Sequence, residues 1–256
     1  MNQPAILFVM METGAKVTEQ EFHEWYSEEH VPLRVNKFPS FRTAARYRAI
    51  DGATPKWMAM YTIEDISIFS DPEYTILREQ RSPREADIVA RLAALDRRIY
   101  SLISDTNPMP DALRPSSIAS NIVVTNSFTP APGTEEKFHK WYEEEYIHAL
   151  KQIPGWARTR RYKLEDRSLT GLESSELAKD IPQFLEVSEF DALSVLRNAK
   201  FPSETFGSDI VGNSVQSERR VFKLLKGYEP IAAFRSIKTP GSFTPGWNPS
   251  GFTFTA

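Results

Sequence analysis

The nine residues FHEWYSEEH at Phe22–His30 recur as FHKWYEEEY at Phe138–Tyr146. Phe, His, Trp, Tyr and two Glu match position for position, as Phe22/Phe138, His23/His139, Trp25/Trp141, Tyr26/Tyr142, Glu28/Glu144 and Glu29/Glu145. The last position does not match: His30 stands where the second copy has Tyr146. The flanking blocks align in the same order. AILFVMMET (5–13) pairs with NIVVTNSFT (121–129), and FPSFRTAARYR (38–48) with IPGWARTRRYK (153–163) after a one-residue deletion. PKWMAMYTIE (55–64) pairs with PQFLEVSEFD (182–191), and RRIYSLI (97–103) with RRVFKLL (219–225). A period this long means duplicated domains rather than a solenoid.

Each copy reads as β-α-β-β-α-β. Residues 5–12 are rich in strand formers, and Thr18 with Glu21 is a capping-box signature at a helix start. The helix then carries Phe22, Trp25, Tyr26, Glu29 and Leu33 on one face, with Phe22, Trp25 and Leu33 read as core. Strands at about 41–49 and 56–64 flank the turn material DGATP, and a second helical region at about 72–95 places Ile88, Leu92 and Leu95 at helical spacing. The strand RRIYSLIS closes the unit. The expected class is α+β, two tandem ferredoxin-like repeats. Helices cover one face of such a four-stranded sheet, so the other face needs a partner, and two copies supply it by packing sheet to sheet as an intramolecular dimeric α/β barrel. The division is 1–104 for the first half, 105–118 for a Pro-rich linker, 119–226 for the second half, and 227–256 for a tail rich in aromatics, Pro and Gly. That tail is too apolar to lie free in water.

Composition narrows the function. Of 256 residues, 41% are hydrophobic and 25% charged, an ordinary globular balance. The absence of cysteine removes disulfides, thiolate metal sites and a cysteine nucleophile, and points to the cytoplasm. No apolar run approaches a membrane span. A net charge of −3 offers no general attraction to nucleic acid, and the basic strands RTAARYR and ARTRRYK are offset by acidic helices. There is no phosphate loop, dinucleotide fingerprint or nucleophile elbow, and HEWYS is not a zinc-binding H-E-x-x-H. Neither a metal nor another cofactor is expected.

FHEWYSEEHVPL, followed by FPSF and RYR, resembles the F-x-x-W-Y…E-H-x-P-L…P-G-F signature of dimeric α/β-barrel proteins, in particular the EthD-like group. The resemblance spans about 5–104 and 120–226, and implies two such domains joined in one chain as a pseudo-dimer, with further homodimerisation left open. It also implies a cleft between sheet and helices. The family includes cofactor-free cyclases, lyases and isomerases of polyketide-like molecules, quinone-forming monooxygenases, haem-degrading enzymes and members without known activity; fold alone does not choose among them.

The helix residues suggest the chemistry. All four histidines, His23, His30, His139 and His148, lie in or just after the repeated helices. An imidazole moves protons near neutral pH, and a phenol donates to a developing oxyanion. By the resemblance His30 is the first candidate catalyst, with Tyr26 and Glu29 beside it. His23, Trp25, Arg46, Tyr47, Tyr142, Glu145 and Tyr146 are the candidates for binding a small-molecule substrate. Other readings stand beside these. On the structural reading Glu29 and Glu145 each bond the recurring Arg46 or Arg161, His23 and His139 are half-exposed helix residues, and His148 has no catalytic role. An acid–base enzyme with its active site in the first half, a binding or scaffold protein with filled clefts, and a monooxygenase without cofactor or with haem all remain open.

Overall fold

The computed structural model describes residues 2–106, 121–177, 180–191 and 216–228. The first half contributes strands β1 (Ala5–Glu12), β2 (Phe41–Ala49), β3 (Trp57–Ile63) and β4 (Ala94–Asp105). Between them lie helices α1 (Glu19–Trp25), α2 (Val31–Lys37), α3 (Pro72–Glu79) and α4 (Pro83–Arg91). The second half contributes β5 (Ile122–Thr129), α5 (Glu135–Trp141), α6 (Ile147–Leu150), β6 (Trp156–Thr170), β7 (Phe184–Phe190) and β8 (Gln216–Tyr228). The second helical element expected in that half, the linker core and the tail beyond Tyr228 lie outside the described residues.

The eight strands close into one antiparallel barrel in the order β1-β3-β2-β8-β5-β7-β6-β4. Each half repeats the same internal order, β4-β1-β3-β2 and β8-β5-β7-β6. Two seams join the halves, β2 with β8 and β4 with β6. The sheets therefore do more than face each other, because each edge strand is hydrogen-bonded to the other half. Gly227 and Tyr228, read from sequence as the start of the tail, belong to β8 and pair with Ala45 and Ala44.

This closure explains why seven of the eight residues of β1 are buried. Side chains alternate along a strand, so one set faces the lumen and the other faces the helices. Ile6, Phe8, Met10, Met58, Met60, Tyr100, Tyr162 and Phe222 share the lumen core. Eight strands leave an interior that side chains can fill. Leu7, Val9, Ala59 and Tyr61 instead meet Phe22, Trp25 and Tyr26 of the first helical layer. Buried ion pairs line the lumen alongside its apolar core: Asp96 accepts from Arg98 at 2.8 Å and from Arg167 at 2.9 Å, and Glu189 accepts from Arg160 at 2.7 Å. Removing one member of such a pair would strand a buried charge.

Thr18 caps α1 by accepting from the Glu21 backbone N–H at 3.1 Å, but the Glu21 side chain pairs with Arg91 rather than closing the capping box. The helical region expected at 72–95 is two helices and the start of a strand. Asp71 and Ser82 each cap a helix whose first residue is proline, so the Ser82–Pro83 pair ends one helical run and starts another.

The largest departure from a 3.6-residue pattern comes after Trp25. Tyr26–His30 forms a π-turn, in which the Val31 N–H reaches the Tyr26 carbonyl. Tyr142–Tyr146 forms the same turn in the second half, with Ile147 bonding Tyr142. The extra residue per turn rotates everything downstream. Leu33, read as core, is 38% exposed, while Val31 and Arg34 are buried in its place. We therefore expect Leu33→Ala to change unfolding free energy by about 0.5 kcal/mol or less. Phe22→Ala should cost about 3–5 kcal/mol in the same urea titrations. A core-sized loss at Leu33 would contradict the π-turn register.

Candidate active site

The π-turn brings His30 round to face α4. The imidazole packs against Trp25 and Tyr26, with ring centroids at 4.8 and 4.6 Å. Its Nδ1 lies 3.4 Å from Glu85 Oε1, short of hydrogen-bond geometry, and the side chain is 12% exposed. Arg34, one helical turn on, donates to the His30 carbonyl at 2.8 Å and lies 3.5 Å from the same Glu85 carboxylate. Burial and then the Arg34 charge pull the His30 pKa down to about 4, against the opposing pull of Glu85. Burial alone would raise Glu85, but His30, Arg34 and Arg81 together hold it down to about 2. Near neutral pH the cluster is therefore a neutral imidazole, a carboxylate and a guanidinium.

These groups line a cavity of about 70 Å³ between the helices and the sheet, together with Tyr26, Tyr74, Arg78, Arg81 and Arg97. That is room for about two waters, or for one end of a ligand. A larger cavity of about 320 Å³ adjoins it, sharing Tyr74, Arg78 and Arg97. Tyr26 is fully buried, and burial raises its pKa to about 12. It accepts a hydrogen bond from Tyr61 at 3.2 Å, which leaves its own O–H free to donate.

The other residues singled out from sequence divide by location. Glu29 bonds Ser82 Oγ and is absent from the cavity lining, because the π-turn moves the following His30 into the inward position. Trp25 is buried behind the His30 ring. Arg46 does not pair with Glu29. It contacts His23 Nδ1 at 2.6 Å and Ser27 Oγ at 3.0 Å, and lies 4.6 Å from the Tyr26 ring centroid. Arg161 repeats this clasp with His139 Nδ1 at 2.7 Å, Glu143 at 2.9 Å and the Tyr142 ring at 3.8 Å. Burial and the adjacent arginine lower the pKa of both histidines. The clasp fixes helix to sheet in each half. Tyr47 belongs to the lumen core, Glu145 is exposed, and His148 is exposed.

Sequence reading missed Glu85 and Arg34. SPRE at 82–85 has the spacing of a capping box, which would assign Glu85 to the helix start. Ser82 does cap the Glu85 N–H, but the Glu85 side chain turns inward to His30. Its spacing of three residues before buried Ile88 was the available signal, since residues three apart share a helix face.

The second half has a different interior at the corresponding place. Tyr146 and Leu150 replace His30 and Arg34, and both are buried. Strand register makes the Asn126–Glu186 pair the counterpart of Val9–Ala59, which moves the first-strand alignment of 5–13 with 121–129 by one residue, so that Val9 and not Met10 matches Asn126. Asn126 Nδ2 donates to Tyr146 and to Glu186 Oε1, each at 3.2 Å, and Ser188 donates to the same Glu186 oxygen at 2.6 Å. Burial pushes the Glu186 pKa up.

No family model and no curated sequence matches the chain. Solved structures do resemble it. An anthrone oxidase-like protein superposes with a TM-score of 0.60 at 10% identity, over 90% of this chain and 94% of that one. A candidate monooxygenase from Fusobacterium nucleatum gives 0.55 at 10% identity, over 89% and 95%. A candidate chlorite dismutase gives 0.54 at 11% identity, over 88% and 96%. At such identities the likeness is one of fold, the dimeric α/β barrel. Among the described residues no group of three His, Cys, Asp or Glu is placed to hold a metal, and no helix is long and apolar enough to cross a membrane.

The depressed His30 pKa has a consequence for stability. The unfolded chain takes up a proton near pH 6.5, and the folded chain resists it until about 4. Stability should therefore decline as pH falls across that window. His30→Gln should flatten this part of a urea-denaturation pH series; an unchanged slope would place the responsible proton elsewhere.

Proposed function

We propose that the chain is a cofactor-independent enzyme that performs acid–base chemistry on a small aromatic or polyketide-like substrate in the first-half cleft. The observation that carries this reading is the His30 imidazole, set between a buried carboxylate and a buried phenol on the wall of a cavity. With Nδ1–H turned to Glu85, the lone pair resides on Nε2. That nitrogen takes a proton from an acidic C–H or phenol O–H, and the electron pair moves to the conjugated oxygen. Tyr26 donates its O–H to that oxygen. Glu85 orients the ring and stabilises the imidazolium, and its contact with Nδ1 shortens when the ring is charged. The EthD-like character of FHEWYSEEHVPL supports an enzyme of this kind.

The same proton transfer begins two outcomes. Attack of the enolate carbon within the substrate, or its reprotonation at another position, with the His30 proton returned to the product or to a departing oxygen, gives a cyclase, lyase or isomerase. Addition of the enolate carbon to dioxygen forms a C–O bond, and loss of the second oxygen atom as water leaves the quinone carbonyl, as in a cofactor-free monooxygenase. The resemblance to an anthrone oxidase-like protein and to a candidate monooxygenase is the reason to keep the second.

The test is hydrogen–deuterium exchange at the acidic carbon of anthrone and of β-dicarbonyl aromatics in D2O, followed by NMR beside an oxygen electrode. Wild-type protein should accelerate exchange. His30→Gln should reduce that acceleration by about 10²–10⁴-fold, and Glu85→Gln should reduce it by less. Oxygen uptake that depends on His30 assigns the monooxygenase branch. Exchange that survives His30→Gln intact would remove His30 from the mechanism.

A further inference from the structure

The cavity beside His30 has four arginines in its lining, Arg34, Arg78, Arg81 and Arg97, against one carboxylate, Glu85. The four are not equally engaged. Arg34 is held by the His30 carbonyl and lies near Glu85, and Arg81 lies 3.9 Å from Glu85. Arg78 and Arg97 stand on the wall shared by the small and large cavities. Arg78 reaches Ser168 Oγ only at 3.5 Å. Arg97 is 12% exposed, lies 5.1 Å from the Phe69 ring centroid, and meets Asp166 at 3.5 Å, a residue itself 59% exposed. Each guanidinium has five N–H donors in a planar fork, and these long contacts use few of them. The large cavity adds the apolar side chains of Ile66, Phe69 and Ile99 to the two arginines.

We propose that the large cavity binds the carboxylate of an aromatic substrate between Arg78 and Arg97, with the ring against Phe69 and Tyr74. This deepens the acid–base reading above and rests on it for the reacting end, which projects past the shared wall toward His30. A single negative charge fits better than a double one. Glu165 and Asp166 also line the cavity, so a phosphate dianion would sit against two carboxylates. A carboxylate instead replaces the weak, solvent-screened partner that Arg97 now has.

Calorimetric titration of the full chain with 2-naphthoate, 2-naphthamide and 2-naphthyl phosphate tests the assignment. Naphthoate should bind at least tenfold more tightly than the neutral amide, and more tightly than the phosphate. Arg78→Gln/Arg97→Gln should abolish that preference, while Arg97→Lys, which keeps the charge over Phe69, should retain part of it. His30→Gln should retain the preference for naphthoate over naphthamide, separating this subsite from the proton-transfer chemistry. Equal affinity for naphthoate and naphthamide, or binding undisturbed in the double variant, would overturn the carboxylate site even if His30-dependent exchange persists. Tighter binding of the phosphate would overturn the monoanion assignment. Loss of exchange in His30→Gln with naphthoate preference intact supports both readings. Preference without any His30-dependent exchange would leave the subsite standing and remove the proposed function.

Discussion

A four-stranded antiparallel sheet with helices on one face has a second face that must also leave water. Every strand here answers that constraint. The lumen side chains of both halves, from Phe8 and Met60 to Tyr162 and Phe222, form one apolar core. The seams β2–β8 and β4–β6 leave neither half with a free edge. With the lumen occupied, the space between helices and sheet is where the candidate cavities lie.

That location gives the π-turn its weight. Tyr26 and Tyr142 each begin a widened turn at the same point of the repeated helix. The added residue changes which side chains face the sheet. It buries Arg34 instead of Leu33, and brings His30 rather than Glu29 to the cavity wall beside Glu85. The turn is therefore part of the site's geometry, as π-bulges often are.

Much of the fold was legible because its signals are periodic or repeated. The limits of β1 and β2 agree with the alternating runs, β3 agrees within a residue at each end, and the duplicated blocks anticipate the repeated strand order. The clefts were less legible, for identifiable reasons. A wheel drawn at 3.6 residues per turn has no means of showing an i→i+5 hydrogen bond, so Leu33 and Glu29 were assigned to the wrong face. Glu85 resembled a capping residue and lies 55 positions from His30 in sequence. Arg46 stands out by its recurrence as Arg161, but its partner is His23 rather than Glu29, because the recurring Arg–His pair crosses from strand to helix where no local pattern runs. Tyr47 follows Arg46 on the strand, and alternation sends it into the lumen.

The two halves share the repeated helix that packs on each sheet and differ in the side chains it buries there. Both retain the arginine–histidine clasp and the packed Phe, Trp and Tyr of the repeated helix. His30 with Arg34 on one side faces Tyr146 with Leu150 on the other. Two identical subunits could not arrive at this arrangement, since any replacement in one half would appear at once in its mate. Because one chain encodes both halves of the barrel, each half can change independently. One interior can accumulate charge while the other consolidates around Asn126 and Glu186, without either change being imposed on both.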